Sequence, residues 1–219
     1  MNNSRRRRRR SIRLKNYDYR NPGAYFITVC VQGGACRLGK IFDGQMELNW
    51  RGHLVAGAWL WLAERYPYVD LDAWQVMPNH LHGILVLTNV KSDDSQSDAG
   101  TVREPPLHSG GTVRADEDRH AHGERPQAPK IIPIKKPVGR LIGAFKTVCT
   151  GQINRMQDTK GARFWQRDFF DRIIRNQREL QAIREYIDSN AAIWESDRLH
   201  PSAPPNRFNR TWLQEERRS

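Results

Sequence analysis

The sequence contains no run of about 18 apolar residues, so no segment of it reads as a membrane-spanning helix. Cysteine is scarce. Cys30, Cys36 and Cys149 make no CxxC pair and no even-numbered framework, which argues against a disulfide scaffold. Three small hydrophobes in a reduced, cytoplasmic setting is the reading that fits. The arginine run at 5–10 is not followed by an apolar stretch, so a secretory signal is not expected. Acids are outnumbered, 24 against 36 Lys and Arg, which leaves a net charge of +12. Hydrophobic residues are a little low at 38%, a shortfall expected of a globular protein that carries disordered stretches. The 219 residues suffice for one domain with a sizeable core.

The positive charge is concentrated. Residues 1–23 carry a net +8 and residues 135–186 a net +7, while the remainder is close to neutral. Two separate basic blocks suit a polyanion held at two places, and nucleic acid is the commonest such partner. Arg5–Arg10 alone would bind any polyanion loosely. In the later block Arg140, Lys146, Arg172, Arg175 and Arg184 alternate with apolar residues.

The pattern predicts a basic, disordered arm over 1–20 and a turn at Asn21-Pro22-Gly23. A buried strand follows over 24–31, broken by Gly33-Gly34. A small hairpin is predicted over 37–48 around Asp43-Gly44. Asn49 caps a helix over 51–65 with Leu54, Ala58, Trp61 and Leu62 inward, and Pro67 stops it. Strands at 70–77 and 80–87 flank the Pro78-Asn79 turn. Residues 90–136 are rich in Asp, Ser, Gly, Pro, Glu and His, repeat Gly-Thr-Val-Arg at 100–103 and 111–114, and read as a low-complexity surface insertion. A helix over 138–155 turns Leu141, Ile142, Phe145, Val148 and Cys149 inward. A short strand at 169–175 and a last helix over 177–191, capped near Asn176, complete the set. The tail from Pro201 frays, with Trp212 as a docking candidate. Strand, helix, strand, strand, helix, strand is the split βαβ plan. The expectation is therefore α+β: a ferredoxin-like antiparallel sheet with helices on one face and an extra C-terminal helix, forming a single domain over 21–200.

His80 and His82 stand at i, i+2 in a strand, so both imidazoles project from one face, a ready metal chelate that needs a third ligand. His120 and His122 repeat the spacing inside the low-complexity stretch, where no strand orients them. In the last helix, Leu180, Ile183, Ile187, Ala191 and Trp194 mark a buried stripe. Tyr186 and Asn190, four apart, fall beside it and face a cleft between helix and sheet.

The strings VMPNHLHGILVL (76–87), FWQRDFFDRIIRN (164–176) and REYIDSN (184–190), with the opening IRLKNYDYRNPGAYFITV (12–29), resemble the REP-associated tyrosine transposases of the HUH single-strand nuclease superfamily. The likeness covers nearly all of 12–88 and 137–200. It implies that Tyr186 is the nucleophile, that His80, His82 and Asn190 hold a divalent Mg²⁺ or Mn²⁺ ion, and that the substrate is single-stranded DNA beside palindromic hairpins. Arg13, Lys15, Arg140, Lys146, Gln166, Arg167, Arg172 and Arg175 are the expected nucleic-acid contacts. Trp165 and Phe169 are either core or base-stacking residues. Two departures stand out: Asn190 is followed by Ala191 where the family has proline, and Arg172 stands where it often has histidine.

The implied activity is cleavage through a 5′-phosphotyrosine, with strand transfer by reversal. One rival is a catalytically inactive basic protein that binds structured DNA or RNA. The other is a metal-dependent phosphodiesterase of small nucleotides, which needs neither the +7 block nor the arginine arm.

Overall fold

The apolar strand at 23–30 pairs along both of its edges, and the rest of the sheet is laid out from it. The computed structural model describes residue 14, residues 16–89 and residues 135–204. Its elements are β1 (Gly23–Cys30), β2 (Gly39–Phe42), β3 (Gln45–Leu48), α1 (Trp50–Arg65), β4 (Val69–Met77), β5 (His80–Leu87), α2 (Val138–Gln157), β6 (Phe170–Ile174) and α3 (Gln177–Ser189). The main sheet has the order β4-β5-β1-β6, antiparallel throughout. Omitting the β2–β3 ribbon, the chain runs β-α-β-β-α-β, so the fold is α+β and ferredoxin-like, as expected. Among the described residues no helix is long and apolar enough to cross a membrane.

Side-chain alternation divides the sheet into two layers. Tyr25, Ile27, Val29, Leu81 and Leu85 point into the main core with Val55, Trp59, Leu62, Leu141, Ile142 and Phe145 of α1 and α2. On the other face Phe26, Ile84 and Val86 meet Leu180, Ile183 and Ile187 of α3. The last helix therefore covers the face that the first two leave open. Its apolar stripe needs a partner surface, and the α1/α2 face is already full.

Local signals account for most boundaries. The Asn49 side chain accepts from Arg51 N and Gly52 N at the start of α1, and Asn176 Oδ1 accepts from Glu179 N at the start of α3. Asp43 and Gly44 both have positive φ, 49° and 71°, the two-residue hairpin geometry for which Asp-Gly is a favoured pair. The inward face of α1 differs from the expected one. Val55, Ala58, Trp59 and Leu62 are buried, while Leu54 and Trp61 flank the core. The reason lies across the sheet: Gly83 of β5 leaves room for the Trp59 indole, and a Cβ at Gly83 would lie 2.6 Å from Trp59 Cζ2. Cys30 and Cys149 are buried, but Cys36 is exposed and does not act as a core hydrophobe. Trp165 is a core residue, packed against Phe145 and Phe164. Arg13, Lys15, His120, His122, Trp212 and nearly all of the low-complexity stretch lie outside the described residues.

Candidate active site

The β4–β5 turn puts His80 and His82 at the start of β5. The antiparallel register then sets His80 opposite Cys30 and His82 opposite Thr28 of β1. Both imidazoles are buried, with ring centroids 4.3 Å apart. Their second nitrogens are held by neighbours. Asn79 Nδ2 donates to the carbonyls of Gly34 and Leu199, which turns its Oδ1 towards His80 Nδ1 at 2.7 Å. An acceptor there requires a proton on His80 Nδ1, so Nε2 carries the lone pair. His80 Nε2 is buried and has no hydrogen-bond partner among the described residues. His82 Nδ1 meets Thr28 Oγ1 at 2.9 Å, and Phe26 stacks on its ring at 5.3 Å.

Tyr186 of α3 reaches across to this pair. Its hydroxyl lies 3.2 Å from His82 Nε2 and donates towards Asp197 Oδ2 at 3.4 Å. The side chain is 39% exposed, so the phenol is open to a ligand from one side. Asn190, the C-cap of α3, is fully buried. Among the described residues, neither amide atom of Asn190 has a hydrogen-bond partner of ordinary geometry. Asp197 follows the short turn at Trp194–Ser196 and is buried, with Oδ1 accepting from Leu199 N at 2.5 Å.

Burial sets the protonation states. It drives His80 down to about 3 and His82 well below the ordinary histidine value; His80 beside His82 lowers the latter further, and Asp197 opposes this. Both rings are therefore neutral at physiological pH, the form that ligates metals. Burial also pushes Tyr186 up to about 12, with the Asp197 carboxylate adding to the rise and the Asn190 amide opposing it. The phenol is protonated at neutral pH and needs help to act as a nucleophile.

The donor set fits a divalent cation. His80, His82 and Asp197 each offer a ligand atom, all within 4.8 Å of one another. The lone pair of His80 Nε2 and the amide of Asn190 are buried polar groups that a cation would satisfy. Of the sequence-predicted site residues, His80, His82, Tyr186 and Asn190 converge. Asp197 was missed, because it lies in a turn beyond the helix where no periodicity marks it. Thr28 and Asn79 were missed too. Thr28 was legible in principle, since pairing β1 with β5 sets it opposite His82.

The expected nucleic-acid contacts are spread more widely. Arg140, Arg167, Arg172 and Arg175 are exposed. Arg172 pairs with Glu179 at 2.5 Å. Lys146 directs its ammonium at the carbonyls of Gln166 at 2.8 Å and Asp168 at 3.0 Å, so its charge secures a loop. Arg184 forms a two-pronged pair with Asp72, at 2.8 and 2.6 Å, that ties α3 to β4.

No family model matches the chain. A protein of Haemophilus influenzae described only as uncharacterized is 33% identical over 196 residues, covering 88% of this chain and 93% of that protein. Among solved structures, a REP-associated tyrosine transposase bound to a REP hairpin is similar over 82% of this chain and 72% of that one, with 16% identity and a TM-score of 0.43. A Deinococcus radiodurans protein described as a candidate transposase is similar over 81% of this chain and 96% of that one, with 11% identity and a TM-score of 0.39.

Proposed function

The chain belongs to the same protein family as its Haemophilus influenzae relative, and we propose that the member described here is a metal-dependent endonuclease and strand transferase of single-stranded DNA, of the REP-associated tyrosine transposase type. The observation that carries this reading is the Tyr186 hydroxyl lying 3.2 Å from His82 Nε2, beside the unpartnered Nε2 of His80. A nucleophile-bearing side chain, two neutral imidazoles and a buried carboxylate meet at one partly open point. Such a constellation suits phosphoryl transfer to tyrosine.

Donors for a divalent cation are His80, His82 and an oxygen of Asn190 or Asp197. Mixed imidazole and oxygen donors also suit Zn²⁺; Mg²⁺ or Mn²⁺ is the choice that the resemblance implies. When bound, the ion supplies charge neutralisation at the phosphate oxygens. Tyr186 attacks phosphorus in line. Its Oη–P bond forms as the P–O3′ bond breaks, leaving a free 3′ hydroxyl and a 5′-phosphotyrosine. Asp197, which already accepts the phenolic hydrogen bond, takes the phenolic proton and returns it to the departing O3′. The phosphotyrosine keeps the diester bond energy, so a 3′ hydroxyl reverses the step and strands are exchanged. The palindromic hairpin is the substrate class, with Arg140, Arg167, Arg172, Arg175 and the arm residues Arg13 and Lys15 holding its phosphates.

The test is a labelled palindromic single-stranded oligonucleotide incubated with Mn²⁺ and run on a denaturing gel. We expect a covalent protein–DNA band that disappears with chelator and in Tyr186→Phe, which keeps the ring and removes the attacking oxygen. DNA that is bound but uncut identifies a binding module instead. Cleavage that persists in Tyr186→Phe identifies a phosphodiesterase.

A further inference from the structure

Asn79 sits in the tight turn between β4 and β5 and is fully buried. The turn around it is fixed by the backbone. Val31 N donates to Asn79 O at 2.8 Å, and Leu38 N donates to Pro78 O at 3.0 Å. Every polar atom of the Asn79 side chain is engaged. Nδ2 donates to Gly34 O at 2.9 Å and to Leu199 O at 2.7 Å, and Oδ1 accepts from His80 Nδ1 at 2.7 Å. Only one orientation of the amide satisfies these partners, since the reverse would turn its oxygen towards two carbonyls.

Leu199 lies in the turn beyond α3, 120 residues further along the chain. Its carbonyl meets Asn79, while its N–H donates to Asp197 Oδ1. The other oxygen of Asp197 accepts from the Tyr186 hydroxyl at 3.4 Å, and that hydroxyl lies 3.2 Å from His82 Nε2. The contacts therefore run in one path from His80 through Asn79, Leu199, Asp197 and Tyr186 to His82. The two imidazoles, with centroids 4.3 Å apart, close the path into a ring. Leu199 is the joint of this ring, with its carbonyl on Asn79 and its N–H on the carboxylate. Asp197 and Leu199 are both buried, so a hydrogen bond lost here leaves a polar group without water to replace it.

Resting on the function proposed above, we infer that Asn79 is a positioning residue with two separable tasks: its oxygen orients His80, and its nitrogen, acting through Leu199, sets the Asp197 carboxylate against Tyr186. The first task needs only an acceptor, which an aspartate would also provide. The second needs a donor, which is why an amide and not a carboxylate suits this position. In the proposed attack the phenolic proton passes to Asp197 as the Oη–P bond forms, so the rate depends on where that carboxylate stands. A displacement of about 1 Å is enough to slow such a step by about 100-fold.

Asn79→Asp separates the tasks, because it keeps an acceptor for His80 and removes the donors. Asn79→Ala removes both. Three measurements are made on the full-length protein: Mn²⁺ affinity by electron paramagnetic resonance, the single-turnover rate of covalent adduct at saturating Mn²⁺, and amide hydrogen exchange over 197–203 by mass spectrometry. Asn79→Asp should bind Mn²⁺ within about threefold of wild type, and Asn79→Ala about tenfold more weakly. Both should form adduct about 10- to 100-fold more slowly and exchange faster over 197–203. In an Asp197→Asn background the further slowing by Asn79→Asp should shrink to about twofold or less, because the group that Asn79 places is gone. If circular dichroism shows that Asn79→Asp does not fold, Asn79→Ala takes its place in this cycle. A wild-type adduct rate in Asn79→Asp, or a slowing undiminished by Asp197→Asn, overturns the inference. Failure of the two readings is distinguishable. Faster exchange in the variants with no adduct even in wild type defeats the transferase and keeps Asn79 as the anchor of the Asp197 turn; adduct in wild type with unchanged exchange in the variants defeats the coupling alone.

Discussion

At the residue scale, the site is an arrangement of tautomers. Asn79 Oδ1 takes the Nδ1 proton of His80, which leaves the Nε2 lone pair of His80 for a ligand, and Thr28 Oγ1 holds His82 Nδ1. Thr28→Val keeps the shape of the side chain and removes the partner of His82. We expect Mn²⁺ affinity to fall about 10- to 100-fold, read by titration of the free Mn²⁺ signal in electron paramagnetic resonance. The same burial makes stability depend on pH. Burial holds His80 near 3 in the folded protein, whereas an unfolded chain protonates it near the ordinary histidine value of 6.5. Below 6.5 the unfolded state binds the extra proton, so stability falls as pH drops from 6.5 towards 3. At pH 5 the loss for His80 is about 2 kcal/mol. Urea unfolding of the chelator-treated protein at pH 7.5 and pH 5 checks this; an unchanged midpoint would contradict the burial of a neutral imidazole.

Among the elements, the two helical layers depend on different devices. The α1/α2 layer depends on a missing side chain: Gly83 admits the Trp59 indole, which packs edge-on to Phe145 at 5.5 Å. Gly83→Ala should destabilise the protein by about 1–3 kcal/mol through overpacking. Combining it with Trp59→Leu, which vacates the space, should cost less than the two single changes added together. Thermal unfolding of the four proteins reads the coupling. On the opposite face, α3 is seated by its apolar stripe on Ile84 and Ile174 and by the Arg184–Asp72 pair. That seating aims Tyr186 at His82, so the helix that covers this face of the sheet also positions the residue assigned the attack in the proposed function.

For the whole molecule, charge and chain layout matter most. The two basic blocks lie on either side of a near-neutral stretch in sequence, which suits a substrate held at more than one place. The described residues on either side of the low-complexity stretch meet: Lys135 Nζ donates to Asn89 Oδ1 at 3.2 Å. Closing so short a gap needs only a brief connection. Replacing residues 91–134 with a short Gly/Ser linker should therefore leave the fold and the covalent adduct intact, with a melting temperature within a few degrees of wild type. Circular dichroism and the gel assay check both.

Periodicity and turn chemistry carried the order of elements, the two asparagine caps, the Asp43-Gly44 hairpin and the pairing of His80 with His82 on one face. These depend on neighbours within a few residues, which a sequence displays directly. Helical spacing put Tyr186 and Asn190 side by side, and the resemblance then gave them their roles. Three features required the folded chain: the rotation of α1 that buries Trp59, the seating of α3 on the far face of the sheet, and the arrival of Asp197 beside the imidazoles. Each depends on contacts between residues remote in sequence, where the space left by Gly83, the filled α1/α2 face and the turn after α3 decide the outcome. Local pattern carries no record of such contacts, because the free energy that selects them comes from packing.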